Sequence, residues 1–188
     1  MPTGYQIKDQ YAAHYLTFQV VYWVDIFTKK QYRDIVIDSI KYCQQNKGLT
    51  IFAWVIMSNH IHLLSRSETG ELSNTIRDFK KYTSKLIIET INNNNESRKE
   101  WMLRLFSHTA KRQNKKGEFQ VWTHENHTME ISSNAFIAEK VEYIHNNPVR
   151  AGIVKNSFEY LYSSARNYAD EEGFLEVELI TIPLKTIK

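Results

Sequence analysis

The sequence predicts an α+β fold, a central antiparallel sheet with helices packed mainly on one face. Segments rich in β-branched and aromatic residues alternate with segments whose apolar residues recur at helical spacing. Their order is strand, helix, strand, strand, helix, strand, helix, and the two adjacent strands read as a hairpin. The chain has 188 residues, 42% of them hydrophobic. That suits a single domain with a substantial core spanning residues 1–188.

The first strand is expected over His14–Val24, where Tyr15, Phe18, Val20, Val21, Tyr22 and Trp23 crowd together. Asp25–Thr28 reads as a turn into a helix from about Lys29 to Gln45. Tyr32, Ile35, Val36, Ile40 and Cys43 form its apolar stripe, and Asn46-Lys47-Gly48 stops it. Leu49–Ile56 and His60–Ser65 are strands separated by Met57-Ser58-Asn59. Glu71–Ile91 is a helix with Leu72, Ile76, Phe79, Leu86 and Ile87 on its inner side.

Four asparagines, Asn92–Asn95, mark a loop by composition. Ser97–Ala110 reads as a short helix carrying Trp101, Leu105 and Phe106, and Lys111–Gly117 as a basic loop. Phe119–Trp122 and Thr128–Ile131 are short strand candidates. Ser132 or Ser133 can cap a last helix running to about Asn146, where Pro148 is expected to end it.

The single cysteine, Cys43, allows no internal disulfide, so a reducing cytoplasm is the expected setting. No apolar run approaches the roughly 18 residues of a membrane span, so no membrane partner is expected. The net charge is only +3, yet it is unevenly spread. Arg77–Lys116 holds 11 Lys and Arg against 4 Asp and Glu, while Asp170–Glu178 holds five acids and no base. The acidic tail, about 170–188, masks a basic middle; a basic stripe of this kind is the footprint expected for a phosphate backbone, and it equally suits a solvated helix face plus a charged loop.

Two constellations carry candidate chemistry. His60-Ile61-His62 lies on a strand, so the two imidazoles share a face and can converge on one metal ion. The same pattern also suits a half-exposed strand, and a further ligand is needed. In the last helix, Tyr143 lies about a hundred degrees round from the core residue Ile144. Asn147 follows it by one turn and stacks over the same face. An amide oxygen can ligate a hard cation, and a phenol can attack a phosphorus atom.

Taken in order, Met57-Ser58-Asn59-His60-Ile61-His62-Leu63-Leu64, Phe79-Lys80-Lys81-Tyr82-Thr83-Ser84, Trp122, Tyr143-Ile144-His145-Asn146-Asn147-Pro148-Val149-Arg150-Ala151-Gly152 and Ser163-Ser164-Ala165-Arg166-Asn167-Tyr168 resemble the single-strand tyrosine transposases of insertion sequences, and most of all their REP-associated branch. The resemblance spans about His14 to Tyr168. It implies a ferredoxin-like (RRM-like) HUH nuclease core and DNA nicking and rejoining through a 5′-phosphotyrosine. By position it makes Tyr143 the nucleophile, and His60, His62 and Asn147 the ligands of Mg²⁺ or Mn²⁺. Imidazole suits Mn²⁺ better than Mg²⁺, so Mn²⁺ is expected to serve at least as well.

The expected substrate is single-stranded or hairpin DNA. Its phosphates would meet Arg77, Lys80, Lys81 and Lys85 on one helix, Lys111, Arg112, Lys115 and Lys116 in the basic loop, and Arg150. Both homodimers and monomers occur in the family. The segment of about 92–117 is longer than in compact relatives and reads as a basic insertion. The competing expectations are a non-catalytic binder of structured single strands and a zinc hydrolase using a bound water. The hydrolase would need an acid beside the histidines, and no motif supplies one.

Overall fold

The computed structural model describes residues 6–113, 117–124 and 127–181. Its sheet is built from β1 (His14–Gln19), β2 (Leu49–Ile56), β3 (His60–Ser67) and the two-residue β4 (Met129–Glu130). The order across the sheet is β2-β3-β1-β4, and every pairing is antiparallel. Among the described residues four α-helices pack on it: α1 (Lys30–Lys47), α2 (Leu72–Asn93), α3 (Lys99–Arg112) and α4 (Asn134–Arg150).

Strand alternation sorts the side chains into two layers. Leu16 and Phe18 of β1, Trp54 and Ile56 of β2, and Ile61 and Leu63 of β3 join the main core, with α1, α2 and α3 packed over them. Tyr15, Val55 and Leu64 belong to a smaller core on the opposite face, closed by Val141 and Ile144 of α4. A bulge in β2 between Ile51 and Ala53 keeps this sorting intact. Leu49 and Ile51 face the main core before it and Trp54 and Ile56 after it, so one extra residue preserves the phase. The helices thus lie mainly on one face, and among the described residues α4 is the one α-helix on the other.

α1 buries Tyr32, Val36, Ile40 and Cys43 as its spacing predicts, leaves the expected Ile35 only half-buried, and ends where Gly48 takes a left-handed φ of 62°. In α2 the inner stripe is Leu72, Ile76, Phe79, Thr83 and Ile87, whereas Leu86 is only half-buried. α3 turns Met102 and Phe106 inward and leaves Trp101 exposed. It therefore fills part of the 92–117 segment with helix packed on the main core.

Three local expectations are corrected. β1 stops at Gln19 rather than Val24, and the chain turns through a 3-10 segment, Val21–Trp23, with Tyr22 and Trp23 at positive φ. Val20 is already bridged to Trp122 there, and β1's other edge is spent on β3. Phe119–Trp122 supplies only that single bridge among the described residues, and its neighbour Val121 accepts the Val21 N–H.

α4 does not end before Pro148 but carries it inside the last turn. The stop is at Gly152, whose φ is 70°. Ile153 N–H bonds Pro148 O and Gly152 N–H bonds Val149 O, the two bonds of a Schellman ending. Proline costs α4 only one amide bond, and the glycine four residues on completes the helix. At the other end Ser133 is the cap, its hydroxyl accepting from Phe136 N–H at 3.2 Å.

The acidic segment is tied down as far as Ile180, whose N–H bonds the Tyr168 hydroxyl. Leu175 is buried, Glu178 N–H bonds Ile51 O, and Glu178 pairs with Arg66 at 3.3 Å. It meets the outer edge of β2 at the Ile51 carbonyl, while Tyr162 and Ser164 take the Ile56 and Trp54 amides of that edge, so the edge is not left open to another chain. No helix among the described residues is long and apolar enough to cross a membrane.

Candidate functional site

The polar side chains gather on the α4 face of the sheet. His60 and His62 project from β3, and their ring centroids lie 4.8 Å apart. β1 brings Thr17 opposite His62 and Gln19 opposite His60. α4 carries Tyr143 over the same face, its ring 5.5 Å from His62 and edge-on to it. Val141 and Ile144 anchor α4 to the sheet, so Tyr143, one position before Ile144, sits at the rim of the contact. It is 36% exposed, open to a large substrate.

Each histidine has one nitrogen occupied. His62 Nδ1 meets the Tyr15 hydroxyl at 2.7 Å and the Thr17 hydroxyl at 3.0 Å. Tyr15 also stacks on the His62 ring, with centroids 5.4 Å apart. His60 Nδ1 donates to Asn59 Oδ1 at 2.7 Å. These are the partners that orient an imidazole and leave Nε2 for a ligand. Burial pushes His62 down to about 3, with His60 adding to the fall, and burial lowers His60 as well. Both rings are therefore neutral at neutral pH, the state in which an imidazole can bind a cation. Burial pushes the Tyr15 phenol up to about 12, so it stays protonated.

Asn147 turns its amide nitrogen to Tyr143 O at 2.9 Å, which leaves Oδ1 as the free end of the amide. Among the described residues no cluster of three His, Cys, Asp or Glu side chains is found. Two neutral imidazoles on β3 are nitrogen donors that fit an open site completed by water or phosphate, and Asn147 lies on α4, the helix that carries Tyr143. Positive charge surrounds the phenol. Arg150 Cζ lies 5.1 Å and Lys140 Nζ 5.9 Å from the Tyr143 ring centre.

The other basic residues divide. Arg77, Lys80, Lys81 and Lys85 line one groove of about 860 Å³ between α2 and residues 117–124. Lys80 Nζ spans it to Thr123 O at 2.7 Å, whereas Lys81 and Lys85 are exposed. The groove shares no lining residue with the histidine–tyrosine cluster, but its wall touches the cluster's neighbour. Thr123 N–H bonds Gln19 O, and Gln19 is the β1 partner of His60. Lys111 and Arg112 are exposed at the end of α3. Lys115 and Lys116 lie outside the described residues.

Other quoted motif residues are structural partners of one another. Trp122 Nε1 donates to Thr83 Oγ1 at 2.9 Å. His145, buried behind Tyr143, bonds Ser164 Oγ at 2.8 Å and stands edge-on to Tyr168. Residue spacing alone gives Tyr15, Thr17, Asn59 and Trp23 no site role. Tyr15-x-Thr17 shows the same alternation as His60-x-His62, but the register that pairs the two strands is not written in either one.

Comparison with known proteins agrees with this architecture. The family described as transposase, IS200-like matches residues 9–147. A REP-associated tyrosine transposase, solved bound to a REP hairpin, superposes with a TM-score of 0.62 at 16% identity, covering 99% of both chains. A protein of Deinococcus radiodurans R1, described as a candidate transposase, gives a TM-score of 0.42 at 17% identity, covering 78% of this chain and 95% of its own. No curated protein matches in sequence.

Proposed function

Because the chain belongs to the IS200-like transposase family, we propose that it nicks and rejoins single-stranded DNA, hairpin-forming repeats above all, with Tyr143 as nucleophile. One observation carries the reading: the Tyr143 ring faces His62 at 5.5 Å beside two neutral, oriented imidazoles. His60 and His62, with the Asn147 amide oxygen, would hold the divalent cation, Mg²⁺ or Mn²⁺. A cation bound there screens the phosphate charge and polarises the phosphorus.

The residues of the chain do the rest. Tyr143 Oη attacks phosphorus in line, its proton passes to solvent, and the bond from phosphorus to the 3′ oxygen breaks. The products are a 5′-phosphotyrosine and a 3′-hydroxyl. A second 3′-hydroxyl attacking the same phosphorus reverses the step and reseals the strand, because the tyrosyl ester retains the energy of the bond it replaced. Arg150 and Lys140 supply positive charge where the phosphate oxygens would lie.

Arg77, Lys80, Lys81 and Lys85 would follow the DNA backbone along the groove, and Lys111, Arg112, Lys115 and Lys116 would add further phosphate contacts. Contacts of this kind give affinity without sequence reading. The acidic segment of about 170–188 and the α3 segment of about 92–117 belong, in this reading, to the same domain, and the setting is cytoplasmic. The 99% mutual coverage with the hairpin-bound transposase supports hairpin DNA as the substrate.

The test is a labelled single-stranded hairpin incubated with Mn²⁺ and resolved on a denaturing gel. A protein–DNA adduct that disappears in Tyr143→Phe is the expected result. Cleavage undiminished in Tyr143→Phe overturns the nucleophile. Binding without cleavage across many hairpins would make the chain a binder of structured single strands.

A further inference from the structure

The turn after β1 holds two aromatic residues in a conformation that neither favours. Tyr22 has φ 54° and Trp23 φ 56°. That is the left-handed region, where a Cβ meets the backbone and glycine is the usual occupant. Trp23 is 60% exposed, so the fold does not recover this strain by burying the indole. Consecutive strained residues persist only where their surroundings over-determine them. Here they do: Val20 N–H bonds Asn59 O, Val21 N–H bonds Val121 O and Phe27 N–H bonds Ser58 O, each at 2.9 Å. The Tyr22 hydroxyl is held by His108 Nδ1 at 3.0 Å.

The strained turn is coupled to the candidate site. The Trp23 indole stands edge-on to His60, with centroids 6.2 Å apart and planes at 77°. Asn59 ties the two together, its Nδ2 donating to Trp23 O at 3.4 Å and its Oδ1 accepting from His60 Nδ1 at 2.7 Å. One amide thus fixes both the imidazole and the backbone beneath the indole. The result is a flat, wet aromatic face beside the histidine pair.

We propose that Trp23 is the platform on which a base flanking the scissile phosphate stacks. The inference rests on the single-strand nicking reading above and adds a binding residue to it. A phosphate seated at the histidines brings its own flanking bases within one nucleotide's reach of the indole. Every base has a π-face, so such a platform grips the strand without demanding a sequence. Stacking there would also fix the angle at which the phosphate meets Tyr143. The left-handed backbone keeps the ring turned outward, and a relaxed turn would let it swing away.

The test uses Trp23→Ala, Trp23→Phe and Trp23→Gly in a Tyr143→Phe background, so that the DNA stays uncut. The probes are DNA hairpins with a single-stranded arm in which 2-aminopurine replaces each base in turn. Fluorescence is expected to be quenched at one arm position with Trp23, less so with Trp23→Phe, which should still bind the arm nearly as well, and to recover with Trp23→Ala and Trp23→Gly. The alanine variant is expected to bind the arm roughly tenfold more weakly or worse. Trp23→Gly is expected to melt higher than its parent, because glycine relieves the positive φ. A residue with a merely structural role would not combine a higher Tm with lost quenching.

Equal quenching in Trp23→Ala, or no quenching at any arm position, overturns the platform. The two readings fail separately. An adduct formed at unchanged rate and KM by Trp23→Ala alone leaves the nicking chemistry standing without the platform. Trp23-dependent quenching in a protein that forms no adduct leaves the platform standing without the chemistry.

Discussion

Within the single strand β3 two faces do different jobs. Ile61 and Leu63 point into the main core and are almost wholly buried among Leu16, Phe18, Trp54 and Ile56. His60 and His62 point the other way, to Tyr15, Thr17 and Tyr143. The first face stabilises mainly by area and shape, with the Ser65 hydroxyl buried on it and unpartnered among the described residues. The second spends its burial on keeping two imidazoles neutral and oriented, which costs stability that the first face supplies. Alternation along one strand thus gives rigidity and chemistry at a spacing of one residue, and the two should be separable by mutation.

The largest effect is expected from His60→Ala. It removes an imidazole from the half-buried site face, so nicking should fall below detection while the melting temperature moves by only a few degrees. A collapse of the melt instead would make the histidine structural and erase the contrast. Leu63→Ala should do the reverse. Emptying a position that is 1% exposed costs roughly 2–5 kcal/mol of stability, readable as a lower urea midpoint with an unchanged slope. The fraction that remains folded should nick at the parent rate. A large drop in rate per folded molecule would show that the two faces are not independent.

Much of this division is legible in the sequence, because it depends on local periods. The alternation of His60-Ile61-His62-Leu63 and the helical stripes of α1 and α2 follow from residue spacing alone. What escapes is whatever a local period cannot encode. The strand pattern of Val20–Val24 is as good as that of Tyr15–Phe18, but β1's neighbours run out at Val20 and the chain turns. Pro148 signals a stop, yet α4 continues until Gly152 can take a left-handed φ. Tyr15 and Trp23 lie close to the histidines only through the β1–β3 register and the bonds of Asn59, which join residues far apart in sequence.

A third way to sharpen the comparison is acid. On the main-core side Glu96 is buried between α1 and α3. Burial alone would raise its carboxyl, but Lys29 at 3.0 Å, Arg98 and the Tyr32 hydroxyl outweigh that and hold it down at about 2. Its folded value lies below the ordinary 4.5, so the unfolded chain binds the proton more readily. The stabilisation is present above pH 4.5 and is lost as pH falls through about 2. It is on the order of 3 kcal/mol. Thermal melts across that window should lose this increment in the parent and not in Glu96→Gln, whose melt should already be lower at neutral pH. Parallel losses in both proteins would assign the acid sensitivity to other groups.

The smallest effect should come from Tyr15→Phe, which edits the site face without emptying it. The ring stays stacked on His62, so packing is kept. The hydroxyl at 2.7 Å from Nδ1 is lost, while Thr17 remains at 3.0 Å. Partners of this kind typically tune metal affinity by 10–100-fold, and with Thr17 left in place the lower end, roughly tenfold, is expected for Mn²⁺ by calorimetry. Tm should barely move, and nicking should recover when Mn²⁺ is raised. If affinity is unchanged, Thr17 alone orients His62. In that case Tyr15 belongs with Val141 and Ile144, as packing beneath α4, and the boundary between the two jobs runs through β1 as well as β3.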